Sequence, residues 1–411
     1  MSRHTVRKEP AIPRHTTTDA PGTTGGEAPV PSRPRRRRSR LTTLAAVAAA
    51  GVLSVALLAG CGDDEESSAA ADTSTATSTT AAPGPEGTPP EQKQANVDKV
   101  LAFDEAGTPL EGKPRIAYLA ECTQNPYCQA RLQGMEDAAA KYGFEFKTFD
   151  ANFNPNEQLK QVQDATTQGF DGYIFAPAAN APGCTMYNNL LKPTGKPVVV
   201  IDLPMCGDED HTEGVSATVT MQRPGFFKEI VDSAFKQCQG KKLAAVGGFP
   251  GSDLYNFWKA GIDAASAKYP TVEVVSEQTA DYDPRKALRV AQDALRANPD
   301  IGCYISAWDD MTRGTLEGIQ KSDKTPGTDV EIYTLGATKD ALDKIEKGLY
   351  KETWVTLPYE ESYYGGVAMA MAITGDPVNG YIDERLLPKV TEGPGSIYVT
   401  AENADKLEPN Y

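Results

Sequence analysis

The chain has 411 residues, 40% of them hydrophobic, with 41 Lys+Arg against 56 Asp+Glu and a formal net charge of −15. Residues 1–60 hold 10 of the basic and 3 of the acidic residues, so the remainder carries 31 against 53, a net of −22. Such an excess argues against nucleic acid and anionic lipid as partners, because both are repelled over the Debye length.

Residues 1–34 show no periodic apolar pattern and are set aside as a long signal n-region or a misplaced start. A dense arginine cluster then leads into Leu41–Gly60, apolar except for Thr42, Thr43 and Ser54. Such a run is long enough to span a bilayer. Leu58, Ala59 and Gly60 directly before Cys61, however, resemble the lipobox of bacterial lipoproteins, in which the signal is cleaved and the cysteine becomes the lipidated N-terminus. That resemblance implies export, with the chain held at the outer face of the cell membrane through lipid on Cys61. Residues 61–96, acidic at first and then rich in Ser, Thr, Ala, Pro and Gly, cannot bury enough surface to order themselves. They read as a tether with a reach of roughly 30 Å.

From about Val97 onward the chain is longer than one core usually serves, so two lobes are expected. Strands are predicted over 116–119, 144–149, 172–176 and 198–202, with helices over 129–142, 156–168 and 182–191 between them. A second series places strands over 243–246, 272–275, 303–307 and 330–334, with helices over 254–268, 284–297, 311–321 and 339–347. Each series is a βαβ succession, so the expected fold is α/β with two doubly wound parallel-sheet lobes. Ligands of such sheets lie beyond the carboxyl ends of the strands, and two facing lobes share one cleft.

Cys122, Cys128, Cys184, Cys206, Cys238 and Cys303 are an even set in an exported chain, which argues for disulfides with 15 possible pairings. The proximity of Cys122 and Cys128 favours closing that loop, which would fix Asn125 and Tyr127. With a single histidine after Cys61, His211, and only one close cysteine pair, no metal site and no catalytic triad is expected. No cofactor and no catalytic residue is expected. Asp309 and Asp310 are too close in sequence to oppose one another as glycosidases require. Asp309 reads as a helix N-cap. The loop Gly247–Gly251 lacks the Lys-Ser/Thr of a phosphate loop and reads as a tight turn. Trp258 reads as core, whereas Trp308, at a strand's end, faces the cleft. Aromatic rings beside carboxylates suit a polyhydroxylated ring with apolar faces.

Taken together, Asn125-Pro126-Tyr127, Asp202 after Val198–Ile201, Gly248-Phe249-Pro250-Gly251, Ala280-Asp281-Tyr282-Asp283, Asn298-Pro299-Asp300-Ile301 and Asp309-Asp310-Met311 with Gly314 resemble type I periplasmic binding proteins. These are the ribose-binding-like substrate receptors of ABC importers, and the likeness runs from Arg115 to Leu407. It implies an N-terminal lobe of residues 97–220 and 357–388 and a C-terminal lobe of residues 221–356 and 389–411. Three hinge strands would cross near 218–222, 356–358 and 388–392. The resemblance further implies a monomer that closes on a small sugar-like or polyol ligand, touched by Asn125, Tyr127, Asp202, Asn256, Trp308, Asp309 and Thr356. An ABC permease with its ATPase would receive that ligand. A sensor that presents its closed state to a membrane kinase or chemoreceptor is the alternative. Leu203, Asn256, Trp308 and Gly336 stand where ribose-like receptors carry Arg, Arg, Asn or Gln, and Asp, which opens the way to an aromatic or nucleoside-like ligand. The same fold implies disulfides joining Cys184 to Cys206 and Cys238 to Cys303.

Overall fold

The computed structural model describes residues 87–206, 210–409 and 411, all within one compact unit of the chain. The export segment, Cys61 and the tether as far as residue 86 lie outside the described residues. In chain order the elements are α1 (Pro90–Ala106), β1 (Arg115–Ala120), α2 (Pro126–Tyr142), β2 (Glu145–Asp150), α3 (Pro155–Thr167), β3 (Gly172–Phe175), α4 (Asn180–Met186), β4 (Val198–Ile201) and β5 (Ala217–Thr220). There follow α5 (Pro224–Gln237), β6 (Lys242–Gly247), α6 (Asp253–Lys268), β7 (Glu273–Thr279), α7 (Pro284–Ala297), β8 (Ile301–Ser306), α8 (Asp309–Gln320), β9 (Glu331–Gly336) and α9 (Lys339–Glu346). The last are β10 (Glu352–Val355), α10 (Pro358–Ile373), β11 (Tyr381–Asp383), α11 (Pro388–Thr391) and β12 (Tyr398–Val399).

Two six-stranded sheets result. The first has the order β11-β5-β4-β3-β1-β2 and is parallel throughout; the second has the order β12-β10-β9-β8-β6-β7, with only β12 antiparallel. Strands such as Val198–Ile201 are buried at every position, as a sheet covered by helices on both faces requires. Proline at the first helical position starts α2, α3, α5, α7 and α10, and Asn125, Asn154 and Asp283 cap α2, α3 and α7 through their side chains. Helix α10 packs onto α2 so closely that a Cβ on Gly134 would lie 2.2 Å from the carbonyl oxygen of Tyr359, which only glycine avoids. Disulfides join Cys122 to Cys128, Cys184 to Cys206 and Cys238 to Cys303, with Cα separations of 5.8, 4.9 and 6.2 Å.

The chain passes from the first sheet to the second after β5, returns after β10, and leaves again after β11. Here two expectations are corrected. The third crossing is not a strand: a 3-10 turn at Glu384–Leu386 leads into α11, where Pro388 at the first position favours a helix start. The expected tether also ends too late, because residues 90–96 form the first turns of α1. Their anchors are polar, which is why the apolar pattern missed them. Asn96 donates to the carbonyl of Tyr381 at 2.8 Å, and buried Lys93 pairs with Asp210 at 3.2 Å. Helices α5 and α10 and strands β10 to β12 likewise lie where no element was predicted.

Candidate functional site

Loops at the carboxyl ends of both sheets converge on a cavity of about 210 Å³. From the first lobe come Glu121, Asn125 and Tyr127 after β1, Phe153 after β2, and Asp202 and Leu203 after β4. The second lobe supplies Phe249 and Asp253 after β6, Tyr282 after β7, Trp308 and Asp310 after β8, and Gly336 at the end of β9. Gln222 and Thr356 enter from the crossings, and Tyr411 completes the lining.

The lobes touch. Asp253 accepts the backbone N–H of Asn180 at 2.7 Å, the rings of Phe153 and Phe249 are 6.2 Å apart, and those of Tyr127 and Trp308 are 5.5 Å apart. This is a closed arrangement, in which a group in the cavity meets both lobes at once.

Beneath the first-lobe side lies a buried charge network. Arg131, on α2 one turn beyond Tyr127, is 0% exposed and pairs with Glu121 at 2.5 Å, Asp202 at 2.8 Å and Glu361 at 3.0 Å. Its guanidinium also lies 4.9 Å from the centre of the Tyr127 ring. The Tyr127 hydroxyl donates to Glu361 at 3.1 Å and accepts from the Gln222 amide at 2.8 Å, and that amide also donates to Asp202 at 2.9 Å. Burial pushes Glu121 up to about 8, with Arg131 pulling it down and Asp202 adding to the rise. Burial likewise holds Glu361 and the nearby Glu384 well above the usual carboxylate range. Two of the carboxylates around this one guanidinium, Glu121 and Glu361, are thus shifted by burial toward their protonated forms. Asp202 itself sits in the left-handed region at φ 74, where its carbonyl accepts from Thr220 Oγ1 and its side chain turns toward Arg131.

Of the residues expected at the site, Asn125, Tyr127, Asp202, Trp308 and Thr356 line the cavity. Asn125 spends its side-chain oxygen on capping α2, accepting the N–H of Cys128 at 2.9 Å. Asn256 does not line the cavity: it is exposed, whereas Asp253, three residues earlier on α6, does line it. Asp309 is neither a ligand contact in this cavity nor the helix cap. Trp308 occupies the cap position of α8, and Asp309 is buried, accepting the N–H of Thr338 at 2.9 Å and the hydroxyl of Thr353 at 3.1 Å. Burial raises it to about 6. Its Oδ2 lies 2.7 Å from where a Cβ on Gly336 would stand, so the aspartate at 309 fills the space left by the absent side chain at 336. In the tight turn, the Tyr282 ring covers Gly248 where any Cβ would clash.

Sequence reasoning did not find Glu121, Arg131, Gln222, Asp253 or Tyr411. The Tyr411 ring stands 5.8 Å from Tyr127 and 6.4 Å from Trp308, and its hydroxyl bonds Thr356 Oγ1 at 2.8 Å.

A family model described as periplasmic binding protein domain matches residues 116–377. The chain belongs to the periplasmic binding protein family. It is 28% identical over 223 residues to the ribose import binding protein RbsB of Bacillus subtilis, covering 54% of this chain and 69% of that one. With the ribose import binding protein RbsB of Escherichia coli it shares 25% over 280 residues, covering 67% and 91%. Among solved structures, the Caulobacter myo-inositol binding protein bound to myo-inositol superposes with a TM-score of 0.62 at 20% identity, covering 73% of this chain and 97% of that one. This last likeness is one of fold, and it places the two lobes of this periplasmic binding protein in the type I arrangement.

Proposed function

We propose that this periplasmic binding protein is a lipid-anchored extracytoplasmic receptor that captures a small sugar-like or polyol ligand by closing its lobes and delivers it to an ABC importer. One observation carries the reading: a cavity at the carboxyl ends of two parallel sheets, bordered by both lobes and bridged by Asn180 and Asp253. A ligand that touches both lobes only when they are closed shifts the open and closed equilibrium by that differential affinity. The permease would then recognise the closed form. Binding and release, with no turnover, is the whole of the chemistry. Ribose import by the relatives supports the transport reading. For the anchor, the support is the sequence before Cys61.

The chain of rings through Phe249, Tyr282, Trp308 and Tyr127 favours a second ligand reading, an aromatic or nucleoside-like ring stacked in the cleft. A thermal-shift screen against sugars, polyols, nucleosides and aromatic compounds separates the two. A ligand at about 100 times its dissociation constant adds about 2.7 kcal/mol of stability. Growth with a tagged fatty acid should label the parent protein and leave Cys61→Ser unlabelled, and an unlabelled parent would refute the lipid anchor.

A further inference from the structure

The ionisable side chains that border the cavity are all of one sign. Among the described residues Asp202, Asp253 and Asp310 line it, together with Glu121, which burial shifts toward its protonated form, and no Lys, Arg or His does. Arg131, beneath its floor, is surrounded by three carboxylates, and Arg313, outside the lining, is paired with Asp310, so neither offers the cavity a free charge. Asp202 is only 4% exposed, and its contacts from Arg131 and Gln222 both fall on Oδ1, so Oδ2 takes part in no described hydrogen bond. From the second lobe the rings of Phe249, Tyr282 and Trp308 follow one another at centroid distances of 5.3 and 5.6 Å.

Ring faces are electron-rich and attract cations, and a buried carboxylate does so with little screening from water. An anionic group here would meet carboxylates and ring faces, with no cation at the wall to offset its loss of hydration. The two halves of the cavity therefore select the same charge. We propose that the ligand is an organic cation, an amine carried on a hexose-sized sugar, polyol or aromatic ring, with its ammonium between Asp202 and the rings of Tyr282 and Trp308. This rests on the receptor reading and narrows its ligand class.

The test uses matched compounds that differ in one group: glucosamine, glucose and glucuronate, and tyramine, tyrosol and 4-hydroxyphenylacetate. Calorimetric titration of the whole protein should show the amine of at least one set binding tenfold or more tighter than its neutral partner, with no binding of the acid. Asp202→Asn should reduce the affinity for that amine at least tenfold and leave it no better than the neutral compound. Because Asp202 also pairs with Arg131, Trp308→Leu serves as a second variant, and it should weaken the amine more than the neutral partner. A neutral or acidic member that binds best overturns the charge assignment and leaves the receptor reading standing. Absence of binding by all six overturns the charge assignment and also counts against a sugar-like ligand.

Discussion

Arg131→Met removes the one cation from a buried set of carboxylates while keeping most of the side chain's length. Arg131 is 0% exposed and its three ion pairs lie between 2.5 and 3.0 Å, so no water replaces the lost partner. Removing one member of a buried ion pair costs about 3–5 kcal/mol, mostly for the charge left behind. The remaining carboxylates can escape that cost only by binding a proton. For an ordinary aspartate this costs about 1.4 kcal/mol for each pH unit above roughly 3.9, or about 5 kcal/mol at pH 7.5 and about 1.5 kcal/mol at pH 5. Urea denaturation should therefore show the variant about 3–5 kcal/mol less stable than the parent at pH 7.5 and only about 1–2 kcal/mol less stable at pH 5. A loss below about 1 kcal/mol at pH 7.5, or one that is the same at both pH values, would refute the buried-charge account.

Glu121, raised to about 8, binds a proton in the folded state that the unfolded chain gives up, so its contribution to stability is full below about pH 4.5 and is lost as pH rises toward 8. His211, lowered to about 4 by burial, has the opposite sign but acts only between about 4 and 6.5, so thermal denaturation between pH 6.5 and 8 should show stability falling as pH rises. Tyr411→Ala removes a ring packed against Tyr127 and Trp308 and should lower stability by about 1–3 kcal/mol; the same variant should alter the affinity for any cleft ligand, and unchanged affinity in a calorimetric titration would remove Tyr411 from the cavity wall. Gly336→Ala places a Cβ 2.7 Å from the Asp309 carboxylate at a backbone φ of 142°, and it should destabilise by about 1–3 kcal/mol in a denaturant titration.

The alternation of short apolar runs with helical patterns made β1 to β4 and β6 to β9 legible, because the inner parallel strands are buried and largely apolar, the edge strands β2 and β7 keep a partly apolar pattern, and the crossover helices are amphipathic. Helix α10 escaped because it is buried on nearly every side and its Gly365-Gly366 pair reads as a break, although there Gly365 permits close packing on Ile201 of β4 and Gly366 on Ala138 of α2. At the site, errors came from helical phase. Neighbouring residues on a helix point about 100° apart, so Asp310 reaches the cavity while Asp309 turns into the core; Asp253 lines the cavity from the first position of α6, whereas Asn256, almost one turn further along that helix, is exposed. Arg131 carried no signal at all, since an arginine on an amphipathic helix reads as exposed until the carboxylates of β1, β4 and α10 are brought around it. Tyr411 touches Tyr127 only through tertiary folding, and no local pattern records such a contact.

The central claim, that the ligand sits against Trp308 in the closed cleft, has a direct optical test. The chain has three tryptophans, of which Trp258 and Trp354 are 1% and 0% exposed in the second-lobe core, so a ligand-dependent change in tryptophan fluorescence reports on Trp308. Titration with a compound that raises the melting temperature should give a saturable change in the parent protein and none in Trp308→Phe. A compound that stabilises the protein yet leaves the fluorescence of the parent unchanged, or changes that of Trp308→Phe equally, would contradict the placement of the ligand in this cleft.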